Sequence, residues 1–125
     1  MWYEAINVNA LLGKTLESVT VNSDSDEITF KVNDSEVYKL YHRQDCCESV
    51  NIEDIVGSLE DLIGSPITMA EEVEGYTAAP AYEREESYSW TYYKFATIKG
   101  YVDIRWYGSS NGYYSESVDF SRIVW

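Results

Sequence analysis

Six consecutive residues, Glu27-Ile28-Thr29-Phe30-Lys31-Val32, alternate polar and apolar without a break, and only one regular backbone suits that pattern. Successive side chains of a β-strand point to opposite faces, so a period of two puts Ile28, Phe30 and Val32 together on one face. A helix of 3.6 residues per turn would scatter them around its axis. A strand dry on one face and wet on the other belongs in an antiparallel sheet. Its neighbours agree. Residues 16–21 read as a strand, the polar turn 22–26 follows, and Asn33-Asp34-Ser35 turns the chain into a third strand over 36–41. The first third of the chain is therefore a meander.

Between residues 52 and 63 the period changes. Ile52, Ile55, Val56, Leu59, Leu62 and Ile63 fall at the i, i+3, i+4, i+7 spacing of one apolar stripe, which predicts an amphipathic helix. Asn51 would cap it, with Glu53 and Asp54 in the first turn, and Gly64 and Pro66 would stop it. Gly57 at its centre costs about 1 kcal/mol relative to alanine and predicts a bend. Residues 67–73 look like a further strand. Residues 75–87, with Thr77-Ala78-Ala79-Pro80-Ala81 and Glu83-Arg84-Glu85-Glu86, have no period and read as a mobile surface loop. Three strands then follow: 88–98, 101–107 with Val102, Ile104 and Trp106 inward, and, past the turn 108–112, 113–120 with Val118 and Phe120 inward. The expected fold is α+β: a single domain over 1–125, an antiparallel sheet of about six to seven strands with the helix 52–63 on one face.

The second constraint is charge. Twenty-two Asp and Glu stand against nine Lys and Arg, a net charge of −13 over 125 residues. So acidic a surface repels nucleic acid and anionic membrane and attracts basic surfaces. The length suffices for a core without metal or disulfide staples. No apolar run approaches the roughly 20 residues of a membrane span. The start Met1-Trp2-Tyr3-Glu4 lacks the basic and apolar regions of a secretory signal, which points to the cytoplasm. The two cysteines, Cys46 and Cys47, are neighbours and form no disulfide framework, so reduced thiols are expected.

The segment His42-Arg43-Gln44-Asp45-Cys46-Cys47-Glu48 gathers the most reactive side chains. A zinc site would draw on His42, Cys46, Cys47 and either Asp45 or Glu48, without the paired spacing of structural zinc sites. A thiol hydrolase would use Cys46 or Cys47 as nucleophile and His42 as base. Nearby carboxylates oppose a thiolate, and adjacent side chains point opposite ways. The structural reading is a strand-to-helix connection in which Asp45 or Glu48 bonds backbone amides.

Twelve tyrosines, nine of them after residue 75, exceed what one core can use. Tyr107 shares a face with Tyr101, Asp103 and Arg105, while Tyr113 lies opposite Tyr114. Exposed Tyr on a sheet gives rigid contact area for a partner or for a second copy of the chain; cross-strand ring pairing is the structural alternative. A single-stranded nucleic-acid platform would need a basic groove, which this chain lacks. Among the carboxylates, Glu53, Asp54, Glu60 and Asp61 would line the outer helix face, spaced to imitate a phosphate ladder. No Asp-x-Asp-x-Asp-Gly calcium loop occurs, and no motif calls for a cofactor.

Residues 41–50 (YHRQDCCESV), 52–57 (IEDIVG), 62–67 (LIGSPI) and 90–116 (WTYYKFATIKGYVDIRWYGSSNGYYSE) resemble a family of small acidic proteins of unknown function encoded by tailed bacteriophages and prophages. The resemblance implies a phage origin and brings no catalytic residues. By analogy with small acidic phage proteins, the expected role is a non-enzymatic binder in the bacterial host cell. It would inhibit a basic host protein, for instance an anti-CRISPR or similar inhibitor of a defence factor. Glu53, Asp54, Glu60 and Asp61 would supply attraction, and Tyr107, Tyr113 and Tyr114 the apolar contacts. The alternatives are a nucleotide-signal or other small-ligand binder using the aromatic sheet, and a thiol or metal hydrolase at His42, Asp45, Cys46 and Cys47.

Overall fold

The computed structural model describes residues 1–74 and 87–125; the loop expected over 75–87 lies outside them except for Ser87. Nine strands are present: β1 (Trp2–Ala5), β2 (Ser18–Val21), β3 (Glu27–Asn33), β4 (Glu36–Tyr41), β5 (Ser49–Val56), β6 (Met69–Glu74), β7 (Ser87–Thr97), β8 (Gly100–Ser110) and β9 (Asp119–Val124). Short 3-10 turns occupy Val8–Leu11 and Leu59–Leu62. The strands form two antiparallel sheets, β1-β9-β4-β3-β2 and β5-β8-β7-β6. Phe30 of the first sheet meets Phe95 of the second with ring centroids 5.3 Å apart. One apolar cluster joins Ile28, Phe30 and Leu40 to Phe95, Val102, Ile104 and Trp106. Two inner faces thus share one core, as in a β-sandwich.

The expected α+β class is overturned, because the described residues contain no α-helix and the segment 52–63 divides into the end of β5, as far as Val56, and the 3-10 turn Leu59–Leu62. The cause is a bulge. Ile52 pairs with Trp106 and Ile55 with Ile104, but Asp54 pairs with Arg105, so Glu53 is an extra residue on β5. One inserted residue lets side chains three apart share a strand face, which imitates helical spacing in the sequence. Gly57 then ends the strand at φ +99°. A Cβ there would lie 2.4 Å from the Tyr101 carbonyl oxygen, so glycine lets the edge approach the β7–β8 hairpin. What remains of the expected helix is the 3-10 turn, whose Leu62 is fully buried in the core. Leu62→Ala should destabilise the protein by about 2–5 kcal/mol, read as a lower midpoint in urea unfolding.

The C-terminal third differs too. Residues 108–110 extend β8, and residues 111–118 form no strand; they cross to the other sheet, where β9 pairs with β4 and β1. Phe120 is buried at that crossing, and Val118 packs against the core. By contrast, the strands expected around Ile28, Leu40, Phe95 and Ile104 are all present.

Candidate functional site

Two crossovers, residues 42–48 between β4 and β5 and residues 111–118 between β8 and β9, carry the chain from one sheet to the other. They are tied together. The His42 ring approaches the Ser117 carbonyl at 2.6 Å, and since a carbonyl only accepts, Nδ1 carries the proton. The Arg43 amide donates to Asp119 Oδ2 at 2.9 Å. Glu48 is the anchor of the first crossover: its carboxylate accepts from the Cys46 amide at 2.8 Å, Gln44 Nε2 at 2.9 Å and the Asp45 amide at 3.3 Å. His42 Nε2 lies 3.2 Å from its Oε2, an ion-pair distance off the line of a hydrogen bond. Burial raises the Glu48 carboxyl, but the Cys46 amide, other backbone bonds and His42 outweigh it and hold the group below its ordinary value.

These bonds hold the segment in place. It is a strand-to-strand connection rather than the strand-to-helix one expected, and Glu48 supplies the amide bonds. Cys46 and Cys47 are joined to each other instead of standing as reduced thiols. Their sulfurs are bonded to each other and His42 Nδ1 is held by the Ser117 carbonyl, and no set of three or more metal-ligating side chains converges among the described residues.

The outer face of the four-stranded sheet is a different environment. Register places Trp90 beside Tyr107, Tyr92 beside Arg105, and Asp54 on the other flank of Arg105. Trp90 meets Tyr107 edge-on at 4.8 Å, Tyr88 stacks on Tyr107 at 6.1 Å, and Tyr92 reaches Trp90 at 6.2 Å. The Arg105 guanidinium sits 5.9 Å over the Tyr92 ring. These contacts make one continuous strip of rings, a cross-strand arrangement that both stabilises the sheet and presents aromatic surface. Tyr101 on the same face is 72% exposed, Tyr107 only 5%. Carboxylates border the strip at Glu53, Asp54, Glu71 and Asp103, with Lys94 paired between Glu71 and Asp103 and Arg105 paired with Asp54. Tyr107→Ala should therefore lower stability by about 3 kcal/mol, whereas Tyr101→Ser should leave the melting temperature within about 2 °C.

The residues singled out in the sequence do not form one patch. Glu53 and Asp54 lie on the edge strand β5, and Glu60 and Asp61 on the 3-10 turn beside the β7–β8 hairpin, where Thr97 donates to the Asp61 carbonyl. Tyr113, 83% exposed, and half-buried Tyr114 lie in the crossover after the far end of β8. Seven strand residues, about 20 Å, separate the two groups along β8. Tyr107 lies between them, covered by its ring neighbours. Sequence reasoning missed Trp90, Tyr92 and Glu116, although the alternation of residues 88–94 carries the first two.

A family profile described as a domain of unknown function (DUF7448) matches residues 9–120, so the chain belongs to that family. Comparison with curated proteins and with solved structures returns no match. Among the described residues, no helix is long and apolar enough to cross a membrane.

Proposed function

We propose that this DUF7448 chain is a non-enzymatic acidic binding protein of phage or prophage origin, acting in the cytoplasm of the bacterial host. Its partner is a basic host protein, a defence factor such as a CRISPR effector, whose nucleic-acid surface it occupies and so inhibits. The observation that carries this reading is the aromatic strip Tyr88–Tyr107–Trp90–Tyr92, bordered by Glu53, Asp54, Glu71 and Asp103 on a chain of net charge −13. Rigid aromatic area anchors interfaces, while like-signed carboxylates at the rim speed encounter with an oppositely charged partner. The same charge disfavours direct binding of nucleic acid or anionic lipid.

The test is capture from bacterial lysate by the immobilised chain at low salt. The reading expects one stoichiometric basic protein, released as salt rises toward about 0.5 M because the Debye length shrinks to roughly 4 Å. The Trp90→Ser, Tyr92→Ser double variant should fail to hold it. A partner retained equally by that variant and at high salt would refute the proposed surface. A second reading, a small-ligand binder, is favoured by a cavity of about 620 Å³ lined by Glu72, Glu74, Tyr88, Trp90, Tyr114 and Glu116. Three carboxylates in its wall oppose a phosphate-bearing nucleotide.

A further inference from the structure

We propose that the neighbouring pair Cys46 and Cys47 is a reaction site for small cellular thiols, opening to two thiols and closing again on a backbone frame that Glu48 and Gln44 hold in both states. This chemistry is separate from partner binding. Both cysteines are exposed, whereas Glu48, next in the chain, is buried. An exposed disulfide is open to attack by a thiolate, and such bonds are the labile ones. Chain entropy argues against a structural staple. A cross-link stabilises a fold mainly by closing a loop in the unfolded chain, and between adjacent residues that loop is the shortest there is.

The frame consists of bonds to the backbone, none of which involves sulfur. The Cys46 amide donates to Glu48 Oε1 at 2.8 Å, and the Cys46 carbonyl accepts from Gln44 Nε2 at 3.2 Å. The same Gln44 nitrogen donates to the Glu48 carbonyl at 2.7 Å. Cys46 is thus held at its amide and its carbonyl, while Cys47 makes no hydrogen bond to any of the described residues. One arm of the pair is anchored and the other is free to move. Opening therefore releases Cys47 and leaves the crossover between β4 and β5 in place.

The exchange balances in two steps. A thiolate attacks one sulfur and forms a mixed disulfide as the bond between the cysteines breaks, and the departing sulfur takes a proton from water. A second thiol then attacks the small molecule's sulfur in the mixed disulfide, releasing the oxidised small thiol and leaving the other cysteine as a thiol. The pair gains the two electrons that the small thiols lose. The oxidised small thiol drives the same steps in reverse and closes the ring.

The experiment equilibrates the full chain in glutathione buffers running from wholly reduced to wholly oxidised, starting once from the thiol form and once from the disulfide. Free thiols are trapped with N-ethylmaleimide and the intact mass is read. One titration curve from both directions is expected, with both cysteines labelled at the reduced end and neither at the oxidised end. Amide NMR of the end states should differ only over residues 45–49, with β4 unchanged. Gln44→Ala, which frees the Cys46 carbonyl, should raise the ratio of oxidised to reduced glutathione needed at the midpoint by about 3-fold or more. Cys47→Ser should trap a glutathione adduct on Cys46, and Cys46→Ser one on Cys47, because neither variant keeps the thiol that displaces it. Labelled thiols at every ratio, or a bond that survives reduced glutathione alone, would overturn the proposal. So would a stable adduct on the unsubstituted chain in place of the ring, or no adduct on either serine variant. An unchanged midpoint in Gln44→Ala would remove the frame, and NMR changes spreading through β4 and β5 would make the bond a structural staple.

Discussion

Gly57→Ala is expected to lower the melting temperature by roughly 10–20 °C, the equivalent of about 3 kcal/mol for a domain of this size. Two costs combine. The residue sits at φ +99°, and its new methyl group would stand 2.4 Å from the Tyr101 carbonyl oxygen. Neither can relax alone, because that carbonyl belongs to the β8 backbone and moving it disturbs the central hairpin of the second sheet. Gly112 offers the comparison. It has φ +91° with nothing within 4 Å of the added Cβ, so Gly112→Ala should cost only about 1 kcal/mol, the conformational penalty by itself. Thermal unfolding followed by circular dichroism reads both. Equal effects at the two glycines would show that contact with Tyr101 is unimportant.

Removal of the Glu48 carboxylate should be nearly as damaging. Glu48→Ala leaves the Cys46 and Asp45 amides, Gln44 and His42 without their common acceptor, and a fall in melting temperature of about 10 °C is expected. Glu48→Gln, which keeps one acceptor oxygen, should fall less. Acid has the same target. Because the folded carboxyl lies below its ordinary value near 4.5, its stabilisation is complete above that pH and disappears as pH falls through the lowered folded value. Wild-type stability should therefore drop as pH falls below the ordinary value near 4.5, and Glu48→Gln should flatten that part of the profile. A variant whose acid limb matches the wild type would place the titration elsewhere.

What could be read in the sequence follows from which interactions are local. β3 and β8 announce themselves because their inner and outer faces alternate strictly, as in Ile28 and Phe30 or Val102, Ile104 and Trp106. The segment after Asn51 misleads for a definite reason: the bulge at Glu53 brings Ile52 and Ile55 to one face, and the turn at Gly57 restarts the pattern. β1 and β9 pair Tyr3 with Ile123, across nearly the whole chain, so neither has a local signal. The bonding of Glu48 to backbone amides was legible as one of two choices, since an acidic residue beside a tight connection has few other uses. The tyrosine excess pointed to an aromatic sheet face but chose Tyr107, the ring that the structure covers, over Trp90 and Tyr92. Acidic residues read as one helix face instead divide between the β5 edge and the 3-10 turn.

The claim that the β7–β8 outer face is the recognition surface is tested most directly by hydroxyl-radical footprinting of the chain with and without the protein it captures. Protection of Trp90, Tyr92 and Tyr101, with Trp2, Tyr3 and Trp125 oxidised as before, is the predicted result. Protection confined to Trp2, Tyr3 and Trp125 while Trp90 and Tyr92 react unchanged would contradict it, and would move the interface to the β1 edge of the other sheet.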